Sequence, residues 1–288
     1  MTLAPPTNEG TPALLAQLEA LASCPLAGEC LHIKAQLPHT VKSVLVERPT
    51  LGLVLHGSKR LSTAHQTVHL QAGDVFLVTG RCQVDAFNAP DADSGRYLAM
   101  TLNLCDEVLS AARILWAQPL LRDDTRLIGL PVNQLQAPLS TWSDALHQGQ
   151  YEQARVALVQ LVMWLCRQGH HALLVPPPQR LADSVHQMVA AAPQRSWQSS
   201  DMESALHLSG ASLRRHLAAE GTSLSQIVVD ARMGQALELL YTTTLPTKTI
   251  AARVGYQSLP SFNRQFQARY GLSPAHAGPK PAAPAQAS

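Results

Sequence analysis

Apolar residues change their spacing twice along this chain, and the changes divide it into three stretches. Leu14, Leu15, Leu18, Leu21 and Ala22 recur at helical spacing behind Thr11-Pro12. An N-cap residue followed by proline in the first turn, where a missing N–H does no harm, predicts a short amphipathic helix to about Ser23. Then Leu31, Ile33, Ala35 and Leu37 alternate with His32, Lys34 and Gln36, the period of a strand with one buried face. Short apolar runs follow at 44–46, 51–55, 75–78 and 97–104, separated by turn signals at 48–49, 56–58, 72–74 and 88–95. Several short strands with such punctuation predict an antiparallel barrel or jelly roll.

From Asp106 the spacing becomes helical again. Helices are predicted over 106–115, 139–147 and 151–171. In the last of these, Val156, Val159 and Met163 widen the apolar stripe set by Ala154, Leu158, Leu161 and Leu165. A helix apolar on two faces needs a second partner, either a second copy of the chain or full burial in its own domain. Pro176-Pro177-Pro178 has no backbone N–H to offer a helix or sheet and marks the domain boundary, with the linker at 176–179. Residues 1–10 read as a disordered arm, and the Pro/Ala-rich 277–288 as a disordered tail.

The third stretch, 180–276, reads as seven short helical segments. Ser200-x-x-Glu203 and Ser223-x-x-Gln226 have the form of capping boxes, one opening a short helix over 202–207 and the other a long helix to about Tyr241. Gly255 and Gly271 suit left-handed C-cap positions. Two parts of this stretch echo each other. Ser212-Leu213-Arg214-Arg215-His216-Leu217 lines up with Ser261-Phe262-Asn263-Arg264-Gln265-Phe266, and upstream 205–208 lines up with 251–254, so the second turn reads as three residues longer. Each copy is a short helix, a turn and a second helix with apolar anchors inside and polar side chains outside. That is the form of a helix-turn-helix, whose second helix enters the major groove.

Charge supports this division. The net charge of the 288 residues is only +2, but 178–288 holds ten Lys and Arg against six Asp and Glu, whereas 1–177 holds twelve against fourteen. The basic excess lies where a nucleic-acid partner needs it. With 46% hydrophobic and 15% charged residues the bulk of the chain is not disordered. No run reaches membrane-span length and the first residues lack a signal-peptide pattern, so a cytoplasmic protein is expected. Cys24, Cys30, Cys82, Cys105 and Cys166 are scattered and form no CxxC pair, as reduced thiols would be.

The run Ile250-Ala251-Ala252-Arg253-Val254-Gly255-Tyr256-Gln257-Ser258-Leu259-Pro260-Ser261-Phe262-Asn263-Arg264-Gln265-Phe266, then Gly271-Leu272-Ser273-Pro274, closely resembles the signature of the AraC/XylS family. Arg232-x-x-x-Ala236-x-x-Leu239-Leu240 resembles its linker helix. Glu47-Arg48-Pro49-Thr50-Leu51, Val54-Leu55-His56-Gly57-Ser58-Lys59-Arg60 and Ala72-Gly73-Asp74 resemble the sensor domain of one subgroup. Gln267 and Ala277 depart from the family pattern, which favours lysine and an aromatic residue there. The resemblance implies a transcriptional activator that dimerises, senses an effector in its first domain and works with RNA polymerase.

The expected fold is therefore α+β. An N-terminal antiparallel β-barrel (jelly-roll, cupin-like) with flanking helices forms a sensor and dimerisation domain over 11–175, and an all-α domain with two helix-turn-helix motifs occupies 180–276. Double-stranded DNA is the expected partner. In the first motif Arg214 and Arg215 are the foremost contacts, with Ser212 and His216 in support, because an Arg fork bonds guanine bidentately. In the second, Ser261, Asn263 and Arg264 face the groove with Gln265 at its edge, and Lys248, Gln257, Ser258 and Arg269 are phosphate contacts. A homodimer through 151–171 and a small-molecule effector or a protein co-regulator complete the expected partners; no ligand residue is assigned. His39, His56, His65 and His69 lie close in sequence, but a cupin-type metal enzyme needs a His-x-His pair with a carboxylate, and none is present. No catalytic residues, metal or cofactor are expected.

Overall fold

The computed structural model describes residues 11–21, 30–120, 125–178 and 180–277. The expected arm at 1–10, Cys24, Gln179 of the linker and the tail beyond Ala277 lie outside the described residues. The chain divides into two compact units, one drawn from 1–38 and 43–176, the other from 39–42 and 177–288.

The first unit is built on two antiparallel sheets. One has the order β1(Cys30–Ala35), β8(Tyr97–Asn103), β3(Thr50–His56), β6(Asp74–Val78), β9(Leu127–Pro131); the other β2(His39–Val46), β7(Cys82–Ala89), β4(Ser58–Ser62), β5(Thr67–Gln71). Alternation assigns the faces. Ala35, Val54, Phe76, Val78, Tyr97, Ala99 and Leu127 of the first sheet meet Leu61, Leu70, Val84 and Ala86 of the second in one apolar cluster. Residues of opposite parity on the first sheet, including Leu51, Leu53, Val75, Leu77 and Met100, pack instead against helices. Strands β3 and β8 are therefore covered on both faces and read as unbroken apolar runs, whereas the second sheet has a single buried face.

The helical layer comprises α1(Thr11–Leu21), α2(Asp106–Leu115), α3(Gln136–His147) and α4(Tyr151–Leu165). Leu18, Leu109, Trp142 and Leu161 are among its fully buried side chains. The helix expected over 151–171 is α-helical only to Leu165. A π-turn over Cys166–His170 follows, in which Gly169 takes φ 99, and then a 3-10 turn over His171–Leu174. A left-handed residue cannot continue a right-handed helix, so the glycine ends the run early. Of the apolar residues that widened the stripe, Val159 and Met163 pack on the core while Val156 stays exposed.

The second unit holds six α-helices and a closing 3-10 turn (Pro274–His276): α5(Leu181–Ala191), α6(Ser199–Leu206), α7(Gly210–Ala219), α8(Leu224–Thr242), α9(Thr247–Arg253) and α10(Leu259–Tyr270). Val185, Val189, Met202, Leu213, Leu217, Ile227 and Ala231 bring α5 to α8 into one core. Two expected caps are revised. The box that opens α6 is Gln198 with Asp201, two residues earlier than Ser200 with Glu203, because Asp201 accepts from the Gln198 backbone N–H and also pairs with Arg195. Ser223 caps α8 by accepting from the Gln226 N–H, but the Gln226 side chain turns forward to donate to Asp230, so that box is half formed.

Candidate nucleic-acid interface

Each helix-turn-helix is fixed by its buried anchors. On α7, Leu213 and Leu217 are buried one turn apart; on α10, Phe262 and Phe266 take the same places. Ser209 and Ser258 cap the two helices in matching fashion, each side chain accepting from the N–H three residues on. Helical geometry then decides which side chains face outward. Arg214 and Arg215 lie on the exposed side of α7 with His216, and Asn263 and Arg264 on that of α10. Arg215 and Arg264 sit halfway between their anchors and so point most directly away from the core.

The turns differ in length. Residues 207–209 separate α6 from α7, and 254–258 separate α9 from α10. The difference is two residues rather than the expected three, because α9 continues one residue further than its counterpart. In the first turn His207 adopts φ 53, a left-handed conformation normally costly for a residue with a Cβ. In the second, Gly255 adopts φ 84, and a Cβ there would come within 2.8 Å of the Pro193 carbonyl oxygen. His207→Gly is expected to raise stability by about 1 kcal/mol, since glycine takes this conformation without the Cβ penalty. An unchanged denaturation midpoint would show that His207 is not strained.

Arg232 of α8 ties the two motifs together. Its Nε donates to the Pro193 carbonyl at 2.9 Å and its Nη2 to the Arg195 carbonyl at 3.0 Å, in the segment before α6. Its guanidinium also lies 5.9 Å from the centre of the Tyr256 ring in the second turn. Tyr256, Phe262, Phe266 and Tyr270 form an aromatic ladder with successive ring centroids 5.5, 5.8 and 4.9 Å apart. Tilted and edge-on contacts of this kind add specificity to burial.

The charges sort into two groups. Arg180 pairs with Glu220, Arg195 with Asp201, and Arg269 with Asp230, whose Oδ1 accepts from the Arg269 Nε at 2.9 Å. Glu220 also accepts from the Leu181 and Ala182 N–H groups, the first turn of α5. These carboxylates hold the unit together and are spent on it. Arg214, Arg215, Lys248, Arg253 and Arg264 are exposed, and among the described residues none of the five is ion-paired. A surface carrying unopposed arginines on two helices suits a polyanion.

Most of the expected contact residues lie on these outward faces, but four stand differently. Arg269 has only 15% of its side chain exposed and is bound to Asp230, so it braces α10 against α8. Ser212 and Ser261 are half-buried at the starts of their helices, where their N–H groups are taken up by the caps. Gln265 is also half-buried, whereas Gln257, Ser258 and Lys248 are exposed. Two exposed residues were not among the expected contacts. Gln267 lies one turn beyond Asn263 and Arg264, and Arg253 closes α9 beside the turn. The i, i+3, i+4 spacing from Arg264 was the signal that pointed to Gln267. Elsewhere, no group of three His, Cys, Asp or Glu able to hold a metal occurs among the described residues. His65 and His69 are exposed, and the His56 ring lies 2.8 Å from Glu19.

Comparison with known proteins points the same way. A helix-turn-helix domain model matches residues 202–277. The chain is 33% identical over 91 residues to the urease operon transcriptional activator of Escherichia coli, covering 32% of this chain and 31% of that protein. It is 43% identical over 77 residues to the ornithine utilization regulator of Pseudomonas aeruginosa, covering 26% and 23% respectively. The chain thus spans about a third or less of the length of these curated relatives. Among solved structures, ToxT from Vibrio cholerae with an unsaturated fatty acid bound matches with a TM-score of 0.60 at 14% identity, covering 85% of this chain and 92% of that one. At that identity the likeness concerns the fold.

Proposed function

We propose that the chain is a regulator of the AraC/XylS type by its C-terminal double helix-turn-helix, a sequence-specific DNA-binding transcriptional regulator and an activator rather than an enzyme. The observation that carries this reading is the pair of matched outward faces, Arg214 and Arg215 on α7 and Asn263 and Arg264 on α10. Arg and Asn side chains make the bidentate contacts that distinguish guanine and adenine in the major groove. Lys248, Gln257, Ser258 and Arg253 flank these faces as phosphate contacts, which fix register without reading sequence. Ser212, His216, Ser261, Gln265 and Gln267 complete the interface at its edges.

The first unit serves as sensor and dimerisation domain in this reading, with the boundary at 176–179. ToxT, which shares the fold, holds a fatty acid, and a small organic effector is proposed here as well. Tyr151 and Val156 leave apolar surface on α4, as Ile114 and Leu115 do on α2, and a homodimer would cover it. RNA polymerase is the proposed partner of the activating step, and the cytoplasm the proposed location; among the described residues no helix is long and apolar enough to cross a membrane.

Selecting bound sequences from random duplex DNA tests the central claim. Recovery of two short motifs about one helical turn (~34 Å) apart is expected, with affinity falling steeply as salt rises. Arg214→Ala and Arg264→Ala should each weaken binding to the selected site by about 1–3 kcal/mol and relax preference at the bases they contact. Unchanged affinity and unchanged preference in both folded variants would remove α7 and α10 from the interface.

A further inference from the structure

The buried anchors put the two outward faces in register, and the register shows where they differ. Leu213 and Leu217 stand where Phe262 and Phe266 stand, so Arg214, Arg215 and Ala218 correspond to Asn263, Arg264 and Gln267. All six are exposed. The middle position is arginine in both helices. The flanking positions are unlike: Arg214 against Asn263, and Ala218 against Gln267. Among the described residues neither of these two carboxamides is hydrogen-bonded, whereas that of Gln226 donates to Asp230. Each keeps a donor and an acceptor side by side, the pair that adenine N7 and N6 complement. An Arg fork offers two donors instead, which suit guanine O6 and N7. Ala218 ends in a methyl group and offers neither.

We propose that the two helices read unlike half-sites, and that Gln267 is a specificity-determining residue of the second. Arg215 and Arg264 each take a guanine, the base pair common to both half-sites. Beside it α7 takes a second guanine through Arg214, whereas α10 takes an adenine through Asn263 and a further adenine through Gln267. Ala218 leaves the corresponding pair of the first half-site without polar readout. Helix geometry sets the spacing. Four residues rise about 6 Å, so Asn263 and Gln267 reach base pairs about two apart at ~3.4 Å per pair. The operator is therefore directional, with a G·C-rich half under α7 and an A·T-containing half under α10, and the chain seats on it in one orientation. This inference rests on the reading of α7 and α10 as recognition helices and adds which bases each selects.

Sequences selected from random duplex DNA by the full chain should contain two motifs that share one G·C pair and differ beside it. Replacing either A·T pair of the second motif by G·C should weaken binding about 5- to 150-fold, the loss of one bidentate contact. Gln267→Ala gives α10 the residue of the matched α7 position. It should erase preference at the outer A·T pair and leave every other position as selective as before. Asn263→Arg should exchange adenine for guanine at its own pair. Both side chains are exposed, so neither change disturbs the fold. The proposal is overturned if the wild type recovers two copies of one motif, if Gln267→Ala weakens all sequences equally or changes no preference, or if Asn263→Arg keeps adenine. Two identical motifs would remove it and leave the DNA-binding regulator standing. Failure to enrich any sequence would remove both.

Discussion

Phe266→Ala should lower the stability of the C-terminal unit by about 3–5 kcal/mol, whereas Arg264→Ala, two residues away, should change it by no more than about 0.5 kcal/mol. Phe266 is completely buried and stands in the middle of the aromatic ladder, between Phe262 and Tyr270. Truncation removes its transfer free energy, leaves a cavity that α8 and α9 fill only in part, and deprives two rings of their partner. Arg264 is exposed and unpaired, so the fold does not depend on it. The two variants should therefore both bind the selected site more weakly, but for different reasons. Chemical denaturation separates them: Phe266→Ala shifts the midpoint, and Arg264→Ala does not. Should Phe266→Ala melt like the wild type, α10 would not be anchored by its aromatic face, and the orientation assigned to Asn263 and Arg264 would fall with it.

The second large effect is a gain. Lys59 of β4 is buried between the two sheets, and Lys59→Met should stabilise the protein by about 1–3 kcal/mol at pH 7. Lowering an amine pKa from 10.5 to about 7 costs about 1.4 kcal/mol for each tenfold loss of proton affinity, and part of the gain is offset because Asn88 loses a donor. The sign of the pH dependence follows from proton counting. Between pH 7 and 10.5 the unfolded chain holds a proton on Lys59 that the folded chain has released, so wild-type stability rises with pH across this window. The advantage of Lys59→Met is greatest below pH 7 and shrinks as pH rises. Asn88, Phe76 and Tyr97 face the Nζ, and none of them is a carboxylate. Buried His32, whose pKa falls from 6.5 to about 4 by desolvation, should add a separate rise between pH 4 and 6.5 that both proteins share. Denaturation midpoints at pH 6, 7 and 8.5 suffice to check this. A stability difference that stays constant over that range would mean that the Lys59 amine titrates normally.

How legible each part was depends on what the inward positions carry. The helix-turn-helix repeat was readable because its anchors, Leu213 and Leu217, Phe262 and Phe266, keep helical spacing and are bounded by serine caps and a glycine. In the first sheet, β3, β6 and β8 announced themselves as apolar runs because helices cover their second face. In the second sheet, β4, β5 and β7 did not. Their outward positions are mostly polar, and two inward ones are Lys59 and Asn88, so alternation breaks at the very residues that face the core. The feature that hid β4 from the pattern is the one that singles out Lys59. Arg269 has a structural partner that was hidden for a related reason. Helical spacing puts it near the interface, but only the fold shows Asp230 of α8 beside it.

Helix α8 is 19 residues long, a bar of about 28 Å. Arg232 joins the segment before α6 and the turn before α10 to that bar, which couples the placement of the two recognition helices. On the proposed reading this makes the chain internally bivalent. Once one helix docks, the other is presented to the adjacent groove at an effective concentration set by geometry, and affinity multiplies without new contacts. A flexible tether would spread that gain over many separations. A rigid one confines it to a single phase of the duplex, because each added base pair rotates the second half-site by about a tenth of a turn. Two weak motifs at the wrong phase then bind no better than one, so the bar contributes to discrimination at base pairs that no side chain touches.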